Sequence, residues 1–250
     1  MKLRITATCD KGCVRNNNED MVLVGKKTFR DDRLQGAIEL NEDHCIFLLA
    51  VADGMGGAKA GEVASQLLLE QLCARIYMLD AGHDEQALKA AVRTICMEIH
   101  QSILQMGHLD SAKTSMGSTL IALLYYEEKL YSINAGDSRL YRCRNKTLAQ
   151  ISQDHSMREL SSNYSAPSNI IFNSFGGGTS FFVDIESAGK KVLDGDMFLL
   201  CSDGVTAMLS DEEIEDILSQ EGYEDILLDR CKAKGGQDNI SYILAECSEV

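Results

Sequence analysis

A single proline, Pro167, and the lack of any Pro-rich or Ser/Gly-rich stretch exclude independent units joined by linkers, and low-complexity disorder with them. Basic charge is scarce. Lys and Arg number 24 against 38 Asp and Glu, a formal net charge of −14, and the cations are scattered rather than clustered. That field repels polyanions, so binding to a nucleic-acid backbone is excluded and cations are the expected partners. The start, MKLRITATCDKG, has no apolar stretch of signal-peptide length, and no later run is long enough to cross a bilayer. A cytoplasmic protein without a membrane partner is expected. The nine cysteines are odd in number, scattered, and without paired Cys-x-x-Cys spacing, which argues against a disulfide framework or a zinc site of that kind. Reduced thiols, mostly in the core, are predicted. What the chain does have is 45% hydrophobic residues over 250 positions, enough for one large core, so residues 1–250 are read as a single domain.

Periodicity gives the organisation. Residues 46–52 form a nearly continuous apolar run, as in a buried strand. Residues 62–79 carry Val63, Leu67, Leu68, Leu72 and Ile76 at helical spacing, and Asp84 is placed to cap a second helix bearing Leu88, Val92, Ile95, Ile99 and Ile103. Residues 118–126, 130–135, 140–144 and 148–152 read as short strands in hairpins, with "EEK" and "RNK" as turns. Later, 181–185, 197–201 and 240–246 read as strands, and Ser210 with Glu213 as a helix capping box. Elements come in blocks rather than strict alternation, which predicts an α+β fold, sheets covered by helices, over a doubly wound parallel sheet.

The chemistry lies in where acids meet these strands. Asp53 ends "FLLAVADG", Asp203 ends "FLLCSDG", Asp137 follows "LYSINAGD" and Asp238 precedes "NISYILAE". One Asp-Gly after a strand is an ordinary turn. Four carboxylates gathered at strand margins repel one another unless a cation neutralises them, so their recurrence points to metal. Without His or Cys at ligand spacing, an all-oxygen set suits Mg²⁺ or Mn²⁺. Gly54 can then turn its carbonyl toward an ion, while Gly56 and Gly57 let the backbone clear the site before the helix. Competing motifs are weaker. Gly54-x-Gly56 imitates a dinucleotide fingerprint, but its third glycine would fall at Lys59 and Asp53 would face the pyrophosphate; the loop also lacks the Gly-Lys-Ser/Thr of a P-loop. Cys9 and Arg15 stand in the Cys-x5-Arg spacing of thiolate phosphatases, yet Asp10 beside the thiol opposes its ionisation, so this spacing is read as coincidence.

Seven blocks in order carry a family resemblance: "DKGCVRNNNED", "VADGMGGAKAGEVAS", "MGSTL", "NAGDSRLY", "QDHS", "LLCSDGV" and "GGQDNIS". Together they resemble the bacterial-type metal-dependent Ser/Thr protein phosphatases of type 2C, the PPM family. The resemblance implies a four-layer α-β-β-α sandwich, two antiparallel sheets flanked by helix pairs. By it, Asp53 bridges two metal ions, with the Gly54 carbonyl on the first and Asp203 and Asp238 on the second. Asp137 resembles a ligand of a third, weaker ion, Arg15 the phosphate-binding arginine, and Glu19 and Asp20 acids that hold metal-bound water. The implied catalytic set is Asp53, Asp203, Asp238 and Arg15. The implied reaction is hydrolysis of phosphoserine or phosphothreonine on proteins by a water activated between two Mn or Mg ions, opposing a bacterial Ser/Thr kinase in signalling. Met55 follows Asp53-Gly54, so no histidine is available there as a proton donor. His155, in "QDHS", is read as a structural histidine that bonds a loop. The family's flap is shortened here, to about residues 157–174, which touches specificity but not the core ligands. Two further readings share the fold: a catalytically silent regulatory binding module, and a small-molecule phosphohydrolase.

Overall fold

The structure is a computed structural model that describes residues 1–41, 45–56, 60–110, 115–157, 159, 170–177, 181–189 and 191–248. Two six-stranded sheets dominate it. The first runs in the order β11 (Thr147–Gln150), β10 (Arg139–Arg144), β13 (Met197–Cys201), β14 (Ile240–Ser248), β1 (Lys2–Asp10) and β4 (Asp32–Glu39). The second runs β12 (Asp184–Ser187), β9 (Lys129–Ala135), β8 (Leu120–Tyr126), β5 (Ile46–Ala52), β2 (Met21–Val24) and β3 (Lys27–Phe29). All these pairings are antiparallel. The short strands β6 (Gly54–Met55) and β7 (Gly117–Ser118) pair separately beside them.

The layering explains the sequence. In β5, Phe47, Leu49 and Val51 enter the core between the sheets, while Leu48, Ala50 and Ala52 face α1 (Ala60–Ile76) and α2 (Glu85–Leu109). A strand buried on both faces reads as an unbroken apolar run, which is why 46–52 was recognisable. On the far side, Tyr141, Leu199, Tyr242 and Leu244 pack against Ile214 and Ile217 of α4 (Asp211–Leu218) and Leu227 and Cys231 of α5 (Tyr223–Ala233); a one-turn helix, α3 (Asp203–Thr206), precedes them. Each outer face thus carries a helix pair, and the expected α+β sandwich is the fold.

Local signals account for the joints. Asp84 accepts from the Ala87 amide at 2.8 Å and caps α2, and Ser210 with Glu213 closes a reciprocal capping box on α4. Both hairpin turns place two residues in the left-handed region, Glu127 and Glu128 at φ 45° and 66°, Asn145 and Lys146 at 51° and 62°. Two-residue turns of that hand match the twist of the strands they join.

Three expectations need correction. The first helix begins at Ala60 and ends at Ile76 rather than covering 62–79, with Tyr77 to Leu79 continuing only as hydrogen-bonded turns. Residues 118–126 split at Thr119 into β7 and β8. The strand expected at 181–185 lies at Asp184–Ser187, because Phe181 and Phe182 are taken up in ring packing, Phe181 against His100 at 4.3 Å and Phe182 against His155 at 4.6 Å between centroids. Gly57 and most of the flap at 157–174 lie outside the described residues.

Candidate metal centre

Register brings the acids to one end of the sandwich. Met21 pairs with Ala52, Leu120 with Ala135, Arg139 with Cys201, and Asp10 with Ile240. The segments just beyond these pairs therefore leave the sheets together: the loop at 11–20, Asp53, the turn at 136–138, Asp203 and Asp238. They enclose a cavity of about 430 Å³ lined by Arg15, Glu19, Asp53, Asp137, Asp203 and Asp238, along with Gly54, Met55, Thr119, Ile171 and Asn239.

Hydrogen bonds fix Asp53, Asp238 and the turn that carries Asp137. The Asp53 amide donates to Thr119 Oγ1 at 3.1 Å, and the Thr119 amide donates back to the Asp53 carbonyl at 2.9 Å. The same Thr119 hydroxyl lies 2.7 Å from Ser138 Oγ, which ties Asp53 to the Asp137 turn. Asp238 Oδ1 accepts from the Asn239 amide at 2.8 Å. Asn239 in turn accepts from the Glu19 amide at 2.8 Å and donates to the carbonyls of Lys11 and Asn17, so it clamps the loop that carries Arg15. Arg30 reaches the Asp20 and Glu62 carbonyls and Ser65 Oγ, docking the same loop on α1. Two glycines are obligatory for close approach. A Cβ on Gly54 would sit 2.2 Å from the Gly61 carbonyl oxygen, and one on Gly204 only 1.8 Å from that of Asn239.

The electrostatics is that of acids lacking a counter-charge. Burial first, then the charges of Asp20, Asp203, Asp137 and Asp238, hold the Asp53 carboxyl well above the ordinary range. Burial, reinforced by Asp203, pushes Asp137 up to about 7. Burial and Asp238 raise Asp203, although a hydrogen bond with Asp53 opposes the shift. Arg15 is the cation at hand: its Nη2 donates to Asp238 Oδ2 at 2.6 Å, while half of the side chain, 53%, stays exposed. Among the described residues no three His, Cys, Asp or Glu side chains already close around a single point as a cage. Asp238 is engaged by Arg15 at 2.6 Å. The donor set nevertheless fits hard divalent ions, being all oxygen, partly buried and short of positive charge.

A protein phosphatase 2C family model matches residues 24–244. The chain belongs to the protein phosphatase 2C family. It is 33% identical to the serine/threonine protein phosphatase PstP of Mycobacterium tuberculosis over 98% of this chain, and spans 45% of that relative's length. It is 29% identical to the serine/threonine phosphatase stp of Listeria welshimeri, over 95% of this chain and 93% of that one. Among solved structures, the S. agalactiae serine/threonine phosphatase superposes with a TM-score of 0.83 at 25% identity, covering 99% of this chain and 100% of that one. The Mycobacterium tuberculosis phosphatase PstP/Ppp does so with 0.77 at 30% identity, covering 100% of each.

Within that family frame, Asp53, Gly54, Asp137, Asp203, Asp238, Arg15 and Glu19 all line the one cavity. Asp20 does not line it. It is 1% exposed beneath the floor, accepts from Ser202 Oγ at 2.9 Å, and is pushed up to about 7, mainly by burial. Cys9 is separate from the site: 1% exposed in β1, with its thiol pushed up to about 12 by burial and by Asp20, so it offers no thiolate for Arg15 to serve. His155 bonds a loop, as its position in "QDHS" suggested. The roles of Thr119 and Asn239 are not legible in the sequence, although both stand inside the blocks "MGSTL" and "GGQDNIS"; adjacency to Asp238 and a Thr at a strand entry are the available signals. All nine cysteines are free.

Proposed function

We propose that residues 1–250 form one phosphatase unit that removes phosphate from phosphoserine and phosphothreonine on proteins, in the cytoplasm, opposing a Ser/Thr kinase. The observation that carries this reading is the meeting of Asp53, Asp137, Asp203 and Asp238, distant in sequence, with Arg15 around one cavity. The printed names of the relatives, serine/threonine phosphatases, point the same way.

In this reading Asp53, the Gly54 carbonyl, Asp203 and Asp238 would hold Mn²⁺ or Mg²⁺ ions, and Asp137 would add a further carboxylate beside Asp203. When bound, such ions activate water at neutral pH and neutralise phosphoryl charge. The chain supplies the remainder. Arg15, half exposed at the cavity beside Asp238, directs its guanidinium fork at the phosphoryl oxygens. Asn239 holds the Arg15 and Glu19 loop at the distance at which both face the cavity. Glu19, which lines the cavity, would orient water there, while Asp20, buried outside it, holds Ser202 beside Asp203. Met55 carries no proton to give, so the leaving oxygen takes its proton from solvent in the cavity or from a neighbouring carboxyl.

The test is hydrolysis of an aryl phosphate and of a phosphothreonine peptide with Mn²⁺ and then with chelator, for wild type and Asp203→Ala. Both substrates should be cleaved only by metal-loaded wild type. Activity that survives chelator overturns the metal reading. Cleavage of the aryl ester but never of phosphopeptides or phosphoproteins identifies a small-molecule phosphohydrolase, and metal binding without turnover a binding module.

A further inference from the structure

His155 is 3% exposed, and every hydrogen-bonding group it owns is engaged. Its amide donates to the Gly136 carbonyl at 2.9 Å, and its Nδ1 accepts from the Gly136 amide at 3.2 Å, so the two residues grip each other from both sides. Nδ1 also lies 2.8 Å from Asn173 Nδ2. The orientation of that amide is fixed, since Asn173 Oδ1 accepts from the Phe182 amide while Nδ2 also donates to the Phe182 carbonyl. Two donors converging on Nδ1 leave the ring proton on Nε2, which faces Asp184 Oδ2 at 3.0 Å. The His155 carbonyl accepts from the Phe172 amide at 3.0 Å.

Gly136 is not an ordinary neighbour to hold. It sits at φ 129°, a conformation reserved for glycine, and a Cβ there would lie 2.6 Å from Thr119 Cβ. Asp137 follows it, and Ser138 then bonds the Thr119 hydroxyl that holds the Asp53 amide. Arg139 closes the other side, paired with Asp154 at 2.8 Å next to His155 itself. The turn bearing Asp137 is thus gripped at Gly136, Ser138 and Arg139, and of the two bonds that hold Gly136, the one to its amide depends on a single ring nitrogen.

We propose that His155 is a positioning residue for the metal centre: through Nδ1 and the Gly136 amide it sets the direction of the Asp137 carboxylate, and through the Ser138–Thr119 contact it steadies Asp53. This rests on the reading of Asp137 as an ion ligand. The ring's two nitrogens carry separate tasks, and two substitutions separate them. In His155→Asn the amide oxygen can stand where Nδ1 stands and keep the Gly136 bond, while the arm to Asp184 is lost. In His155→Gln the amide nitrogen can reach Asp184, while the acceptor for Gly136 is lost.

The experiment is calorimetric titration of the full chain with Mn²⁺, for wild type, both His155 variants, Asp137→Asn, and each His155 variant combined with Asp137→Asn. His155→Gln should weaken the Asp137-dependent binding event about tenfold, the scale seen when a partner that orients a ligand is lost, while His155→Asn stays within about twofold. On the Asp137→Asn background His155→Gln should add no further loss to that event. Equal losses in both His155 variants, wild-type binding in His155→Gln, or a full additional loss on the Asp137→Asn background would each overturn the proposal. Wild-type binding by Asp137→Asn alone would instead remove the ligand assignment on which it rests, and the proposal with it. One readout needs no substitution: the ¹⁵N spectrum of wild-type His155 should show the Nε2–H tautomer, and an Nδ1–H tautomer overturns the proposal directly.

Discussion

Stripped of divalent ions, the protein should lose stability as pH rises through the range in which most proteins are most stable, and Asp137 makes the size of the loss calculable. Its carboxyl is pushed up to about 7 in the folded chain by burial and by Asp203, against an ordinary value of 3.8. A folded-state pKa above the unfolded one means that the native state holds the proton more tightly. Its penalty is therefore absent below the unfolded value, grows as pH rises between the two values, and is constant above the folded one. For one site shifted by roughly three units, linkage gives a penalty of about 2 kcal/mol at pH 5 and about 4 kcal/mol at pH 8. Asp137→Asn removes the charge and keeps the shape. In urea denaturation with chelator, the variant should gain stability over wild type, more at pH 8 than at pH 5, by a difference of about 2 kcal/mol. Saturating Mn²⁺ should stabilise wild type through binding linkage and narrow or reverse the gap. A gain that is absent, or identical at the two pH values, would refute the claim that this acid is buried without compensation.

Other perturbations have equally direct readouts. Gly204→Ala places a methyl 1.8 Å from the Asn239 carbonyl oxygen, so the 238–239 backbone must yield; a loss of about 1–3 kcal/mol in denaturant and weaker Mn²⁺ binding are expected, and unchanged metal affinity would contradict it. Asp154→Ala leaves the Arg139 guanidinium, 26% exposed, without its bidentate partner; a destabilisation on the order of 3 kcal/mol should appear in thermal and urea melts at both low and high salt. Asp84→Ala removes the cap on α2 and should cost about 1 kcal/mol, measured as a shift in urea midpoint at constant slope. A thiol reagent should modify exposed Cys13 ahead of the buried Cys9, Cys96, Cys201 and Cys231, as mass mapping of the native protein would show.

What was legible in the sequence follows from where the physics is local. Residues 46–52 and 197–201 are buried on both faces, so every position is apolar and their bounds could be read without a structure. The caps at Asp84 and Ser210 are written in side chains that act within one turn. The edge strand at Asp32–Glu39 was invisible for the opposite reason. It is mostly exposed, carries charged and polar side chains, and is a strand only because β1 offers it a ladder. Helix Tyr223–Ala233 was missed similarly, since among its residues only Leu227 and Cys231 are fully buried and it begins at a left-handed Gly222 instead of a polar cap.

The site divides along the same line. Each aspartate announced itself by ending or preceding an apolar run, a local signal. The groups that aim them did not: Thr119, Asn239, Ser202 and His155 act across 66, 220, 182 and 19 positions of chain respectively, through backbone amides and single oxygens. Hydrogen bonds of that reach leave no periodicity, because nothing in the spacing of a Thr or an Asn records which distant amide it will meet. A buried, unpaired carboxylate, by contrast, must be held where its charge is costly, and a fold that tolerates the cost can do so only at the rim of a large core, where strands end. The acids were therefore findable from the hydrophobic pattern, while the machinery that orients them could be read only after the register of β1 against β14 and of β8 against β9 had brought those segments to one end of the sandwich.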